Sequence, residues 1–252
     1  MIRIARSVAF VSVLALALPA AAAAPPPPAP LQAALFEVGR TFAYRVTVEV
    51  AEFPEDGGEP VWVEHDCRRT CRVASARDIG DARVSEVACE KPACPAAELF
   101  DTAVTATGRP PAAGFFVATA RGLWLTDEAP ADAAAVAALT KAPPHLPARP
   151  AAGQRKLSGD EAGTYLRDVK AQRWQPPEGR AVDGWCFRDH CDDCGDPSYD
   201  EWCFASGFGV TSASFLFSTA ALGSSGAAWL VATTPPAAAP VPPPRPTAPT
   251  PR

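Results

Sequence analysis

The most regular pattern in the chain lies between Thr41 and Ala51. Phe42, Tyr44, Val46, Val48 and Val50 fall on one side of a two-residue repeat, and Thr41, Arg45, Thr47 and Glu49 on the other, with Ala43 and Ala51 as breaks. Alternation built from β-branched and aromatic residues predicts a strand with one face in a core and one in water. Pro54–Gly58 is a turn cluster, and Val61, Trp62 and Val63 open a next strand. Cys71–Ala76 and Ala82–Cys89 read as the arms of a hairpin turning at Asp78-Ile79-Gly80-Asp81. Centring the loop on Gly80 sets Cys71 opposite Cys89, Val73 opposite Val87 and Ser75 opposite Ser85. Gly114–Thr119 and Gly122–Thr126 form a second hairpin. Asp132 is placed to cap a short helix running to Leu139.

Before these elements, Leu31–Phe36 suits a helical turn or two, broken by Gly39. After them, Gly163–Trp174, Phe208–Phe217 and Ala227–Thr233 read as strands, the last two separated by a Gly223-Ser224-Ser225-Gly226 turn. The pattern predicts a mainly β fold: one or more antiparallel sheets of about 8–10 strands, with one or two short helices.

The two ends of the chain break with this pattern. Arg3 and Arg6 precede an apolar run, Ser7–Leu18, that is too short for a permanent membrane helix. Small residues from Pro19 to Ala24 then offer cleavage sites between Ala20 and Ala24, so residues 1–24 read as a secretion signal. Arg3 and Arg6 are not adjacent, which excludes a twin-arginine pair. No cysteine follows the apolar run to take a lipid. Residues 25–30 are a proline-rich linker. Residues 234–252 hold nine prolines among alanine and threonine, a composition that predicts a disordered, polyproline-like tail. The foldable part is 31–233, one disulfide-containing β domain. The best candidate for an internal boundary is 141–150, with four prolines and His145.

Eight cysteines lie behind the leader. In an oxidising compartment they are read first as disulfides: Cys67, Cys71, Cys89, Cys94, Cys186, Cys191, Cys194 and Cys203. The hairpin register favours a nested pair, 71–89 inside 67–94, over the local alternative 67–71 with 89–94. Further on, Trp185-Cys186-Phe187 recurs as Trp202-Cys203-Phe204. Two antiparallel arms set Cys186 against Cys203, with Arg188–Glu201 as the loop and the rings on the face opposite each cysteine.

The same cysteines suggest other chemistry. Cys186-x4-Cys191-x2-Cys194-x8-Cys203, with His190, resembles half of a structural zinc site, but only one tight Cys-x2-Cys turn is present. Cys191-Asp192-Asp193-Cys194 has redox spacing, but the carboxylates of Asp189, Asp192, Asp193, Asp196, Asp200 and Glu201 disfavour a thiolate. Those carboxylates do not follow a calcium-loop spacing. His65, His145 and His190 are the chain's three histidines. No nucleophile elbow, metalloprotease or phosphate-loop motif accompanies them. We therefore expect no catalytic, cofactor or metal residues. The tryptophans at 62, 124, 174, 185, 202 and 229 are core candidates first and sugar-stacking platforms second.

A formal charge of −5 argues against nucleic acid, which attracts basic patches. No run after residue 24 is long enough to span a membrane. Four lysines accompany nineteen arginines, which with the alanine and proline excess suits a GC-rich bacterial genome. The sequence thus predicts a periplasmic or extracellular, non-enzymatic structural or binding protein of the bacterial envelope, with an envelope protein or polysaccharide as partner. The alternatives are a secreted hydrolase with a dispersed site and a metal-binding module on residues 186–203.

Overall fold

The computed structural model describes residues 32–52, 58–90, 114–160, 163–194, 198–218 and 223–236. Twelve strands form one antiparallel sheet in the order β6-β5-β4-β3-β2-β1-β12-β11-β10-β9-β8-β7. Their bounds are β1 Thr41–Glu52, β2 Val61–Ile79, β3 Ala82–Cys89, β4 Gly114–Thr119, β5 Gly122–Thr126, β6 Leu146–Pro147, β7 Gly153–Asp160, β8 Gly163–Trp174, β9 Val182–Asp192, β10 Tyr199–Ala205, β11 Gly209–Ser218 and β12 Gly223–Thr234. A seven-residue helix, α1, spans Ala133–Leu139, and a 3₁₀ turn covers Ala33–Phe36. Neighbours in the sheet are neighbours in sequence except β1 and β12, which pair from Thr41↔Thr234 to Val50↔Ser224. The sheet is therefore two six-stranded meanders, β1–β6 and β7–β12, joined along that one long-range ladder.

Connectivity forces the sheet to curl. Laid flat, edge strands eleven spacings apart would stand about 53 Å from each other. Yet β6 ends at Pro147 and β7 begins at Gly153, and that link reaches at most about 23 Å. The two edges must therefore approach. Accordingly Phe116, Leu123 and Leu146 from one end of the sheet share a core with Val169, Phe187 and Trp202 from the other. The inward face carries Phe42, Tyr44, Val46 and Val48 on β1, all buried, as their alternation predicts. Ala34, Leu35 and Phe36 of the 3₁₀ turn lie in the same core. A smaller cluster forms on the outward side, where Val136 of α1 packs with Ala82, Val84, Val117 and Trp124. Asp132 caps α1 through its carboxylate, which accepts the Ala135 N–H at 2.9 Å.

The structure corrects several local expectations. β2 is one nineteen-residue strand, so the segments starting at Val61 and at Cys71 are continuous. Cys71 does stand opposite Cys89 and Val73 opposite Val87, but a bulge then sets Ser75 against Glu86 and Ala76 against Ser85. The hairpin around residues 186–203 is longer than expected. Arg188, Asp189 and His190 are strand residues paired with Glu201, Asp200 and Tyr199. Gly223–Gly226 is the start of β12, not a turn. Gly226 is needed there for close packing, because a Cβ would lie 2.5 Å from the Phe215 ring. Residues 141–150 contain β6, and β7 had no counterpart in the sequence pattern. Strand β12 runs to Thr234, so the packed chain extends to that residue. The leader, the linker and residues 237–252 lie outside the described residues, as do 54–57 of the first turn cluster.

Candidate functional site

Cys71 is bonded to Cys89, Cys186 to Cys203, and Cys191 to Cys194. Both long-range bridges join directly opposed residues of neighbouring strands, with Cα atoms 3.9 and 4.1 Å apart. The Cys71–Cys89 bond removes the local alternative of 67–71 with 89–94. Cys67 is disulfide-bonded as well, and Cys94 lies outside the described residues. The repeated triplets lie face to face, Trp185 against Phe204 and Phe187 against Trp202. Their rings point inward, and Phe187 and Phe204 meet edge to face at 6.1 Å.

This pairing uses up the thiols that a zinc knuckle needs. Among the described residues, the one cluster with metal-ligand spacing is Cys186, Glu201 and Cys203. Its two sulfurs belong to a disulfide, and its carboxylate accepts a hydrogen bond from Arg188 at 2.9 Å. Cys191 and Cys194 close a loop with a sequence separation of 3, with Asp193 in the left-handed region at φ 63°. The glycine of β8 beside them is required, since a Cβ on Gly163 would lie 2.5 and 2.7 Å from the two sulfurs.

The three histidines are held in three different places. His65 on β2 stands 3.6 Å from Glu52. His190 on β9 stands 3.8 Å from Asp168. His145 sits at the seam between the sheet edges. Its Nδ1 accepts the Leu125 N–H at 3.1 Å, its carbonyl accepts from Arg167 at 3.2 Å, and its ring meets Trp202 edge to face at 6.3 Å. Arg167 in turn makes a two-pronged, buried ion pair with Asp189, at 2.5 and 2.7 Å. The seam is thus a structural clasp of backbone, guanidinium and carboxylate. The sequence offered no signal for it, because Arg167 and Asp189, opposed on β8 and β9, read as ordinary surface charges, and His145 comes from the other edge of the sheet.

Among the described residues, one arrangement with room for another molecule lies on the outward face. There the registers line side chains into rows across the sheet. One row runs Glu64, Glu49, Ser225, Leu216, Tyr199, and the next runs Asp66, Thr47, Ala227, Ser214, Glu201. The small residues of β1, β11 and β12 leave an open trough of about 270 Å³, lined among others by Thr47, Glu49, Glu64, Ser214, Ser225 and Tyr199. It crosses five strands, from β2 to β10. Glu49 and Glu64 are directly opposed across β1 and β2. Neither has an ion-pair partner among the described residues, although like charges facing each other repel. Asp66, in the neighbouring row, is held diagonally by Arg45 in a bidentate pair, at 2.6 to 3.2 Å. The hydrogen bonds from Arg45 hold the Asp66 carboxyl below its ordinary range. At the far end, the Arg188 guanidinium lies 4.6 Å over the Tyr199 ring. Trp229, two residues beyond Ala227 on the same face, is 45% exposed, and Trp62 on β2 is 53% exposed. The sequence alternation marks Thr47 and Glu49 as outward residues, but the trough itself depends on the β1–β12 pairing.

No protein-family model and no curated protein matches this chain. Among solved structures, it is similar to a crystal structure from Bacteroides fragilis described as a presumed exported protein with a YmcC-like fold. That match has 11% identity and a TM-score of 0.31, and covers 79% of this chain and 97% of the other. A likeness at that score carries no argument about function.

Proposed function

We propose that the chain is an exported, non-catalytic binding protein of the bacterial envelope, delivered by residues 1–24 and contacting its ligand through the outward face of the sheet. One observation carries this reading. Among the described residues the inward face carries the buried apolar core, while the outward face of β2, β1, β12, β11 and β10 holds an open polar trough flanked by exposed tryptophan. The distribution of polarity is also the reverse of a membrane barrel, whose outer band is apolar. Here Arg45, Glu49, Glu64 and Asp66 stand outside, and Phe42, Val46 and Val48 stand inside. The cross-strand disulfides suit an oxidising compartment.

Fractionation of cells expressing the full chain tests the proposal. The expected product is periplasmic or extracellular, lighter by the leader, without free thiols when denatured, and sediments with isolated envelope polysaccharide. Intact protein in the cytosol with free thiols would overturn it.

A further inference from the structure

We propose that the outward trough is a saccharide site selective for sugars bearing a free, protonated amine. The proposal rests on the binding-protein reading above and adds the class of ligand. Three features of the trough point to it.

The floor is polar and shallow. Thr47, Ser214 and Ser225 bring hydroxyl groups to a volume of about 270 Å³, just under the roughly 300–1,000 Å³ of ordinary small-molecule pockets. Hydroxyls next to carboxylates suit the donor and acceptor groups of a sugar ring. Tyr199, and Trp229 beside the trough, add aromatic surface of the kind on which such rings stack.

The trough is also unsuited to a peptide. Peptides that bind sheets do so chiefly by adding a strand to a free edge. Strands β1, β12 and β11 are each paired on both sides, so their backbone groups are already used. An extended peptide lying across them would leave its own backbone groups without sheet partners.

Charge then selects among saccharides. Glu49 and Glu64 are opposed at one end of the trough, both exposed and neither in an ion pair among the described residues, although Arg45 lies near enough to Glu64 for the carboxylate to favour its charge. An ammonium group between them would relieve their repulsion and gain two charge-assisted hydrogen bonds. An N-acetyl group offers neither charge nor the same donors.

The test is titration of the folded, exported protein with a glucosamine hexamer, followed by calorimetry and by amide shifts in NMR spectra. The N-acetylated hexamer and a hexalysine peptide serve as comparison probes. The expected result is binding of the glucosamine hexamer with shifts at Thr47 and Ser225. The N-acetylated hexamer should bind at least tenfold more weakly, and so should hexalysine. Glu49→Gln with Glu64→Gln should lose at least tenfold for the amine-bearing sugar. Ser225→Val keeps the charge but fills the trough, and should abolish binding while the melting temperature holds. Equal binding of both sugars, tight binding of hexalysine, or full binding by Ser225→Val would overturn the proposal. An exported protein that sediments with polysaccharide but ignores the glucosamine hexamer would sink this inference alone. A cytosolic protein would sink the reading beneath it.

Discussion

Tyr44 shows how much one inward side chain can hold. It sits on β1, and its hydroxyl donates to the Val210 carbonyl on β11 at 3.1 Å, past the intervening β12. Burial pushes its phenol far above the ordinary range, so it remains a neutral donor at any usable pH. Tyr44→Phe keeps the ring and strands the carbonyl, and should cost about 1–3 kcal/mol in chemical denaturation. On the outward side the Arg45–Asp66 pair behaves differently. Its folded-state carboxyl is held low by the guanidinium, so the pair's contribution is present above the unfolded carboxylate pKa and fades as pH falls through the folded value. Both side chains are exposed to solvent, so salt should screen the pair. Asp66→Asn should lower the melting temperature slightly at neutral pH and low salt, and the difference should vanish at acid pH or high salt. Glu64→Gln removes a like-charge pair and should raise it slightly.

The elements divide into those a local pattern specifies and those it does not. Strand β1 has a clean two-residue repeat, and the paired triplets around Cys186 and Cys203 set their own register. Strand β7, Gly153–Asp160, is an edge strand, exposed from Gly153 to Gly159. With no face in a core it has no reason to alternate, which is why no strand was legible there. The Ser75–Ser85 pairing failed because a bulge in β2 adds one residue after Val73, and no symmetric hairpin sum includes such an insertion. The disulfides act at this scale. Cys71–Cys89 and Cys186–Cys203 close separations of 18 and 17 residues, and each should contribute about 3 kcal/mol. Serine replacement of either pair should lower the melting temperature markedly. Replacement of Cys191 and Cys194 should have a smaller effect, because that loop is already short.

At the scale of the whole molecule, the curl of the sheet rests on the β1–β12 ladder and on the seam. Arg167 and Asp189 are side chains only 6% and 7% exposed, where a charge without its partner is costly. Asp189→Asn should therefore destabilise the protein by about 3–5 kcal/mol, whereas Arg167→Met with Asp189→Leu should be much closer to neutral. Equal losses in the two variants would show that the pair acts by more than mutual neutralisation. Truncation after Pro236 keeps all twelve strands and should leave the melting temperature unchanged.

Fold class, the inward face of β1, the α1 cap at Asp132 and the opposition of cysteines across two hairpins follow from the sequence alone. Each depends on residues close together in the chain, where period and turn chemistry act directly. The strand count, the curled shape, the Arg167–Asp189–His145 seam and the outward trough were decided by tertiary structure. Each brings together residues from distant segments, and nothing local records that Thr41 will lie beside Thr234 or that Leu146 will share a core with Val169. Only when the two meanders join along β1 and β12 do Glu49, Ser225 and Ser214 become neighbours, so that a common surface feature becomes a site.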